Sequence, residues 1–160
     1  MSHQRSISSR TRSLFRTNPS LSNPIIKPDF VSVKKQIAAT HVDATWASLD
    51  FFRGRGVDRF IIAEGPGGEP LDVGLDNYRY RSLKNDFEIT FIDLNEDDTV
   101  EVATFDSQLN EQRLKMSKTL TESYVVSVCP MKTHDTVVVT LGLKNILVGT
   151  LRGSVERQKI

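Results

Sequence analysis

Cysteine is almost absent: among 160 residues there is one, Cys129. A single thiol cannot close an internal disulfide, form a CxxC redox pair or supply a four-cysteine cluster. No iron–sulfur cluster is therefore expected to be held by this chain alone. At the end of the apolar run from Tyr124, Cys129 reads as a small buried hydrophobe. Long hydrophobic runs are also lacking. None spans a bilayer or forms the core of a signal peptide, so the chain is expected to be cytoplasmic, with no membrane partner. An excess of one charge is missing too: 21 Lys and Arg oppose 20 Asp and Glu, for a net charge of +1, which gives no reason to expect nucleic acid.

Acid is missing locally from residues 1–23, where Arg5, Arg10, Arg12 and Arg16 stand among serines. That stretch reads as a disordered basic tail. Residues 24–151 read as one α/β domain and residues 152–160 as a second tail. With 38% apolar and 26% charged residues, the body has the composition of a globular domain with a core.

Within the body, strand and helix signals alternate. Pro24 to Val33 reads as a first strand, interrupted at Lys27-Pro28-Asp29. Val42, Trp46, Leu49 and Phe52 mark one face of a helix, with Asp43 or Thr40 as N-cap and Gly54 or Gly56 as its stop. Arg59 to Ala63 is a short buried strand, Leu75 to Leu83 a second helix, Ile89 to Leu94 a third strand and Val100 to Phe105 a fourth. Leu109 to Thr121 should hold a strand and a short helix, and Val137 to Leu151 leans to helix. The expected class is α/β, three-layer, with a mostly parallel sheet and flanking helices.

Parallel sheets collect ligand groups at the carboxyl ends of their strands. That rule selects Glu64, Asp93, Asn95, Lys132, His134 and the pair Thr40-His41 as sharing one rim. The densest polar run is Pro130 to Asp135, followed by Thr140 to Asn145. His41, His134 and Glu64 are the acid–base candidates. The two histidines lack a diagnostic metal-ligand spacing, which leaves metal identity open. Lys132 and Lys144 read as contacts for an anionic group or as solvated surface lysines. The loop Glu64-Gly65-Pro66-Gly67-Gly68 has no Lys-Ser/Thr after its glycines and Pro70 interrupts a helix start. It reads as a plain tight turn in preference to an anion cradle.

The blocks Ile25 to Val31, Ala39-Thr40-His41, Gly56 to Arg59 leading to Ala63–Gly68, Asp93-Leu94-Asn95, Ser117 to Leu120, and Pro130 through His134 to Leu143-Lys144-Asn145 resemble the amino-terminal half of the domain-of-unknown-function 362 family. Many members look like cytoplasmic prokaryotic proteins that join this α/β domain to a ferredoxin-like segment with iron–sulfur cysteines. The resemblance thus implies redox or anaerobic metabolism but no settled reaction. Asp29 stands where the family usually shows asparagine, which sets a negative charge beside Lys27. Members continue beyond Lys144-Asn145, so a truncated domain is expected, one that is oligomeric or completed by a partner chain. The functional reading is a site for a small anionic ligand or metal complex, bound by Lys27, Asp29, Thr40, Lys132, Thr133, Lys144 and Asn145. The alternative is a non-catalytic assembly module that pairs with a redox partner or second half.

Overall fold

The structure, a computed structural model, describes residues 24–133 and 138–147. The two tail segments and the ends of the Val137–Leu151 stretch lie outside the described residues. In chain order the elements are β1 (Ile25–Lys27), α1 (Val42–Arg53), β2 (Arg59–Glu64), α2 (Leu71–Asn77), β3 (Glu88–Asp93), β4 (Thr99–Phe105), β5 (Glu111–Ser117), α3 (Lys118–Thr121), β6 (Val125–Ser127) and α4 (Gly142–Leu147). Short 3-10 turns occupy Gln36–Ala38 and Tyr80–Asn85.

Four strands form one sheet in the order β3-β2-β1-β6, and each neighbouring pair runs parallel. The fold is α/β, a parallel sheet flanked by helices. Residues alternate strictly between its two faces. Ile26, Phe60, Ile62 and Ile89 join the larger core, which also takes Leu49 and Phe52 from α1 and Leu71 and Leu75 from α2. Ile25 and Ala63 join a smaller one with Leu94 and Leu120. Burial on both faces is why β1 and β2 read as continuous apolar runs, whereas β3 at the sheet edge keeps Glu88 and Thr90 exposed and alternates.

The first strand is shorter than its sequence suggests. Pro28 has no N–H to donate, so the β1 ladder ends at Lys27, and Phe30 instead makes an isolated antiparallel bridge with Ala39. The fourth predicted strand exists but does not extend the sheet. β4 and β5 pair antiparallel as a separate two-stranded ribbon, from Thr99↔Ser117 to Phe105↔Glu111. Its root is fixed by Asp97, whose carboxylate accepts from Ser117 Oγ and from Thr119 N and Oγ1, at 3.0 and 2.8 Å for the latter two. Partial burial works to raise the Asp97 pKa, but these hydrogen bonds outweigh it and hold the carboxyl below the usual range.

Helix α2 starts earlier than expected and passes into the 3-10 turn, with Gly74 against the core. A Cβ there would meet Phe30 Cδ2 at 3.0 Å and Val33 Cγ1 at 3.2 Å. Phe30 is held edge-on by Tyr78 and Tyr80, with ring centroids 5.2 and 4.9 Å away, and has little room to yield. The helix propensity gained by Gly74→Ala is about 1 kcal/mol, and overpacking costs roughly 1–3 kcal/mol. A net loss on the order of 1 kcal/mol is expected in denaturant unfolding. A stabilised variant would show that Phe30 can move.

Candidate functional site

Each strand of the parallel sheet ends in a polar residue: Lys27 on β1, Glu64 on β2, Asp93 on β3 and Ser127 on β6. Registry sets Lys27 opposite Ser127 and Glu64 opposite Asp93, so all four lie along one rim. The chain runs from β1 outward to β2 and β3, then returns to place β6 on the other side of β1. The β1/β6 boundary is thus a topological switch point, where loops leaving the strand ends open a crevice.

At the centre of the rim Lys27 is 0% exposed and Glu64 3%. Lys27 Nζ donates to Glu64 Oε2 and, at 2.8 Å, to Asn145 Oδ1. Glu64 Oε1 accepts from the Phe30 amide at 3.0 Å. Asn145 returns the contact, donating from Nδ2 to the Lys27 carbonyl at 3.2 Å and to Ser127 Oγ at 3.0 Å. It thereby ties α4 to the ends of β1 and β6. Burial pushes the Glu64 pKa above its ordinary value. The Lys27 charge, the hydrogen bond from Lys27 and the Phe30 amide draw it down without cancelling the rise, while the charge of Asp29 adds to it.

A second ion pair spans the switch point itself. Lys132 Nζ donates to Asp29 Oδ2 at 2.6 Å and to the Ala38 carbonyl at 3.1 Å, and each of the paired side chains is 15% exposed. Lys132 is anchored by reciprocal backbone bonds with Thr140. Beside it Thr40 Oγ1 donates to the Val128 carbonyl at 2.6 Å and accepts from the Asp29 amide at 2.9 Å. Tyr80 backs this loop, its hydroxyl bonded to the Thr40 carbonyl and to Thr45 Oγ1. Among the described residues no buried side-chain polar atom lacks a partner.

Six of the sequence candidates therefore converge: Lys27, Asp29, Thr40, Glu64, Lys132 and Asn145. The charge beside Lys27 comes from Glu64 rather than from Asp29, which instead neutralises Lys132. His41 is not among them. It caps α1 from an exposed position, its Nδ1 accepting from the Asp43 amide at 3.3 Å, because the Thr40 hydroxyl is already engaged with Val128. Thr133 is exposed and Lys144 half-buried on α4. His134 lies outside the described residues. Asp93 does structural work: its two oxygens accept from the Leu71 and Asn95 amides, at 3.1 and 2.8 Å. The glycine loop is a turn whose Pro66 carbonyl accepts from Asn95 Nδ2 at 2.9 Å, with Gly68 at φ +80°.

Sequence reasoning missed Ser127 and Tyr80. A small polar residue at the end of Val125-Val126 was the available signal for Ser127. Tyr80 gave none, since its hydroxyl finds Thr45 35 positions away. Among the described residues no group of three or more His, Cys, Asp or Glu side chains is arranged to hold a metal ion. Nor is any described helix long and apolar enough to cross a membrane.

Comparison with known proteins adds a family and little chemistry. No curated protein and no solved structure matches the chain. Residues 25–160 match the family described as Domain of unknown function (DUF362), a span that includes every strand and helix of the structure. The chain belongs to that family.

Proposed function

We propose that the protein binds a small anionic ligand in the crevice between the β1 and β6 loops. Lys132 is the anion contact and Asp29 its resting counter-ion. The observation that carries this reading is the Lys132–Asp29 pair, which bridges the two sides of the switch point while keeping part of its surface in solvent. An ammonium held by one carboxylate and one carbonyl retains a third donor. A phosphate or carboxylate can take that donor or displace Asp29. Behind the pair, the Lys27–Glu64–Asn145 network fixes the rim. The raised Glu64 carboxyl suits proton transfer if a substrate reaches it.

Calorimetric titration with inorganic phosphate and with succinate tests the reading. Lys132→Met should weaken binding at least about tenfold, the scale of one charge-assisted hydrogen bond. Asp29→Asn should tighten it, since the lysine loses its competitor. Wild-type affinity in Lys132→Met would remove the site as drawn.

One observation favours a second reading, a docking face for a partner chain. In the segment that follows β6 the apolar residues Met131 (77%), Val138 (93%) and Leu143 (74%) are exposed, as are Val139 and Leu141. Exposed apolar residues in such number are a mark of interaction surfaces where they form one patch. Light scattering across a concentration series would report self-association through it.

A further inference from the structure

A cleft of about 280 Å³ lies between the start of α1 and the corner joining α2 to the 3-10 turn, and it shares no lining residue with the Lys27 network. Its apolar lining is Val42, Trp46, Tyr78 and Leu83. Tyr78 and Leu83 are buried. Residues of both charge signs line the cleft too: Asp43 and Asp86 on the acidic side and Arg79 on the basic side, with His41 beside Asp43.

Arg79 is the unusual member. Its backbone is left-handed, φ 62° and ψ 24°, a conformation that suits glycine and strains residues with a Cβ. The cause is local. Tyr78 and Tyr80 on either side are both buried, their hydroxyls bonded to the Ser32 carbonyl and to Thr45 and Thr40. The residue between them is turned outward, at a position fixed by two anchored rings. Its exposed guanidinium makes no hydrogen bond or ion pair with another described residue. Glycine would satisfy the backbone without strain, so folding alone does not account for arginine here. The acidic side is partly engaged: Asp86 Oδ2 accepts from Trp46 Nε1 at 3.0 Å, and Asp43 Oδ2 lies 3.5 Å from His41 Nδ1.

We propose that this cleft binds a zwitterionic ligand of the amino-acid class, with its carboxylate on Arg79, its ammonium toward Asp43 and Asp86, and its apolar body against Trp46, Val42 and Leu83. A simple anion would meet two carboxylates and a simple cation would meet Arg79, whereas a zwitterion matches both signs. The size agrees: the cleft falls just below the roughly 300–1,000 Å³ of drug-sized sites, at the scale of a small metabolite. The site is separate from the anion site proposed above and does not depend on it.

Trp46 is the only tryptophan in the chain, so its emission reports on this cleft directly. Titration with L-leucine should change Trp46 fluorescence saturably, in the millimolar range or tighter. N-acetyl-L-leucine and L-leucinamide, each stripped of one charge, should bind at least about tenfold more weakly. Arg79→Gly should lose the leucine response while its melting temperature stays level or rises, which separates lost binding from lost folding. Three results would overturn the proposal: no saturation by L-leucine, equal affinity for either singly charged analogue, or a wild-type leucine response in Arg79→Gly.

Discussion

Lys27→Met is expected to destabilise the protein by about 3–5 kcal/mol, the cost of stripping one partner from a buried ion pair. The loss does not measure the attraction between the partners. Taking two charges out of water costs several kcal/mol each, and a fully buried lysine is tolerated because Glu64, Asn145 and the Pro28 carbonyl all accept from it. Without Lys27, the Glu64 carboxyl stays buried with only the Phe30 amide donating to it. The double variant Lys27→Met/Glu64→Gln should recover most of the loss. The substituted glutamine can still accept from Phe30, and its side-chain amide can donate toward Asn145 Oδ1. Urea unfolding of both singles and the double forms a thermodynamic cycle. Additive losses would mean that the two side chains act independently, against the geometry. The double variant also separates architecture from function: if it folds stably and its phosphate titration matches that of the wild type, the pair only supports the rim.

The periodic parts of this fold were legible in the sequence, and the pairings were not. Helix α1 runs Val42–Arg53 and ends at Gly54, as the spacing of Val42, Trp46, Leu49 and Phe52 implies. β2 and β3 lie within a residue of their apolar runs. Local pattern also found β4, but it carries no information about which strand is its neighbour. An alternating strand suits a sheet edge and a free-standing ribbon equally. The rim shows the same division. Parallel topology brought Lys27, Glu64, Thr40 and Lys132 to one edge, because the rule about strand ends depends only on direction. Which carboxylate each lysine takes depends on side-chain reach across 37 and 103 positions of sequence, and adjacency misled: Asp29 sits two residues from Lys27 but bonds Lys132. His41 failed for a related reason. Its neighbour Thr40 had claimed the loop, which left the histidine to cap the helix in solvent.

Glu64→Gln should lag behind the wild type by more at pH 5 than at pH 8, the reverse of what a salt bridge suggests at first sight. Burial raises the Glu64 pKa in the folded state, against the pull of Lys27 and the Phe30 amide, so the folded protein holds this proton more tightly than the unfolded chain. Between the unfolded and folded pKa values the native state carries the extra proton, and stability falls as pH rises. The contribution is fully present below the unfolded value and lost as pH climbs through the folded one. Glutamine has no proton to exchange, so the difference between the two unfolding curves isolates the Glu64 share from the other carboxylates. Asp97 works oppositely: its lowered pKa stabilises above the unfolded value and is lost in acid in both proteins, so it cancels from the difference. If the gap instead narrows in acid, Lys27 dominates and Glu64 is an ordinary buried carboxylate. A widening gap would mean that the folded protein holds the Glu64 proton more tightly than the unfolded chain does, the property a proton-transfer role would need.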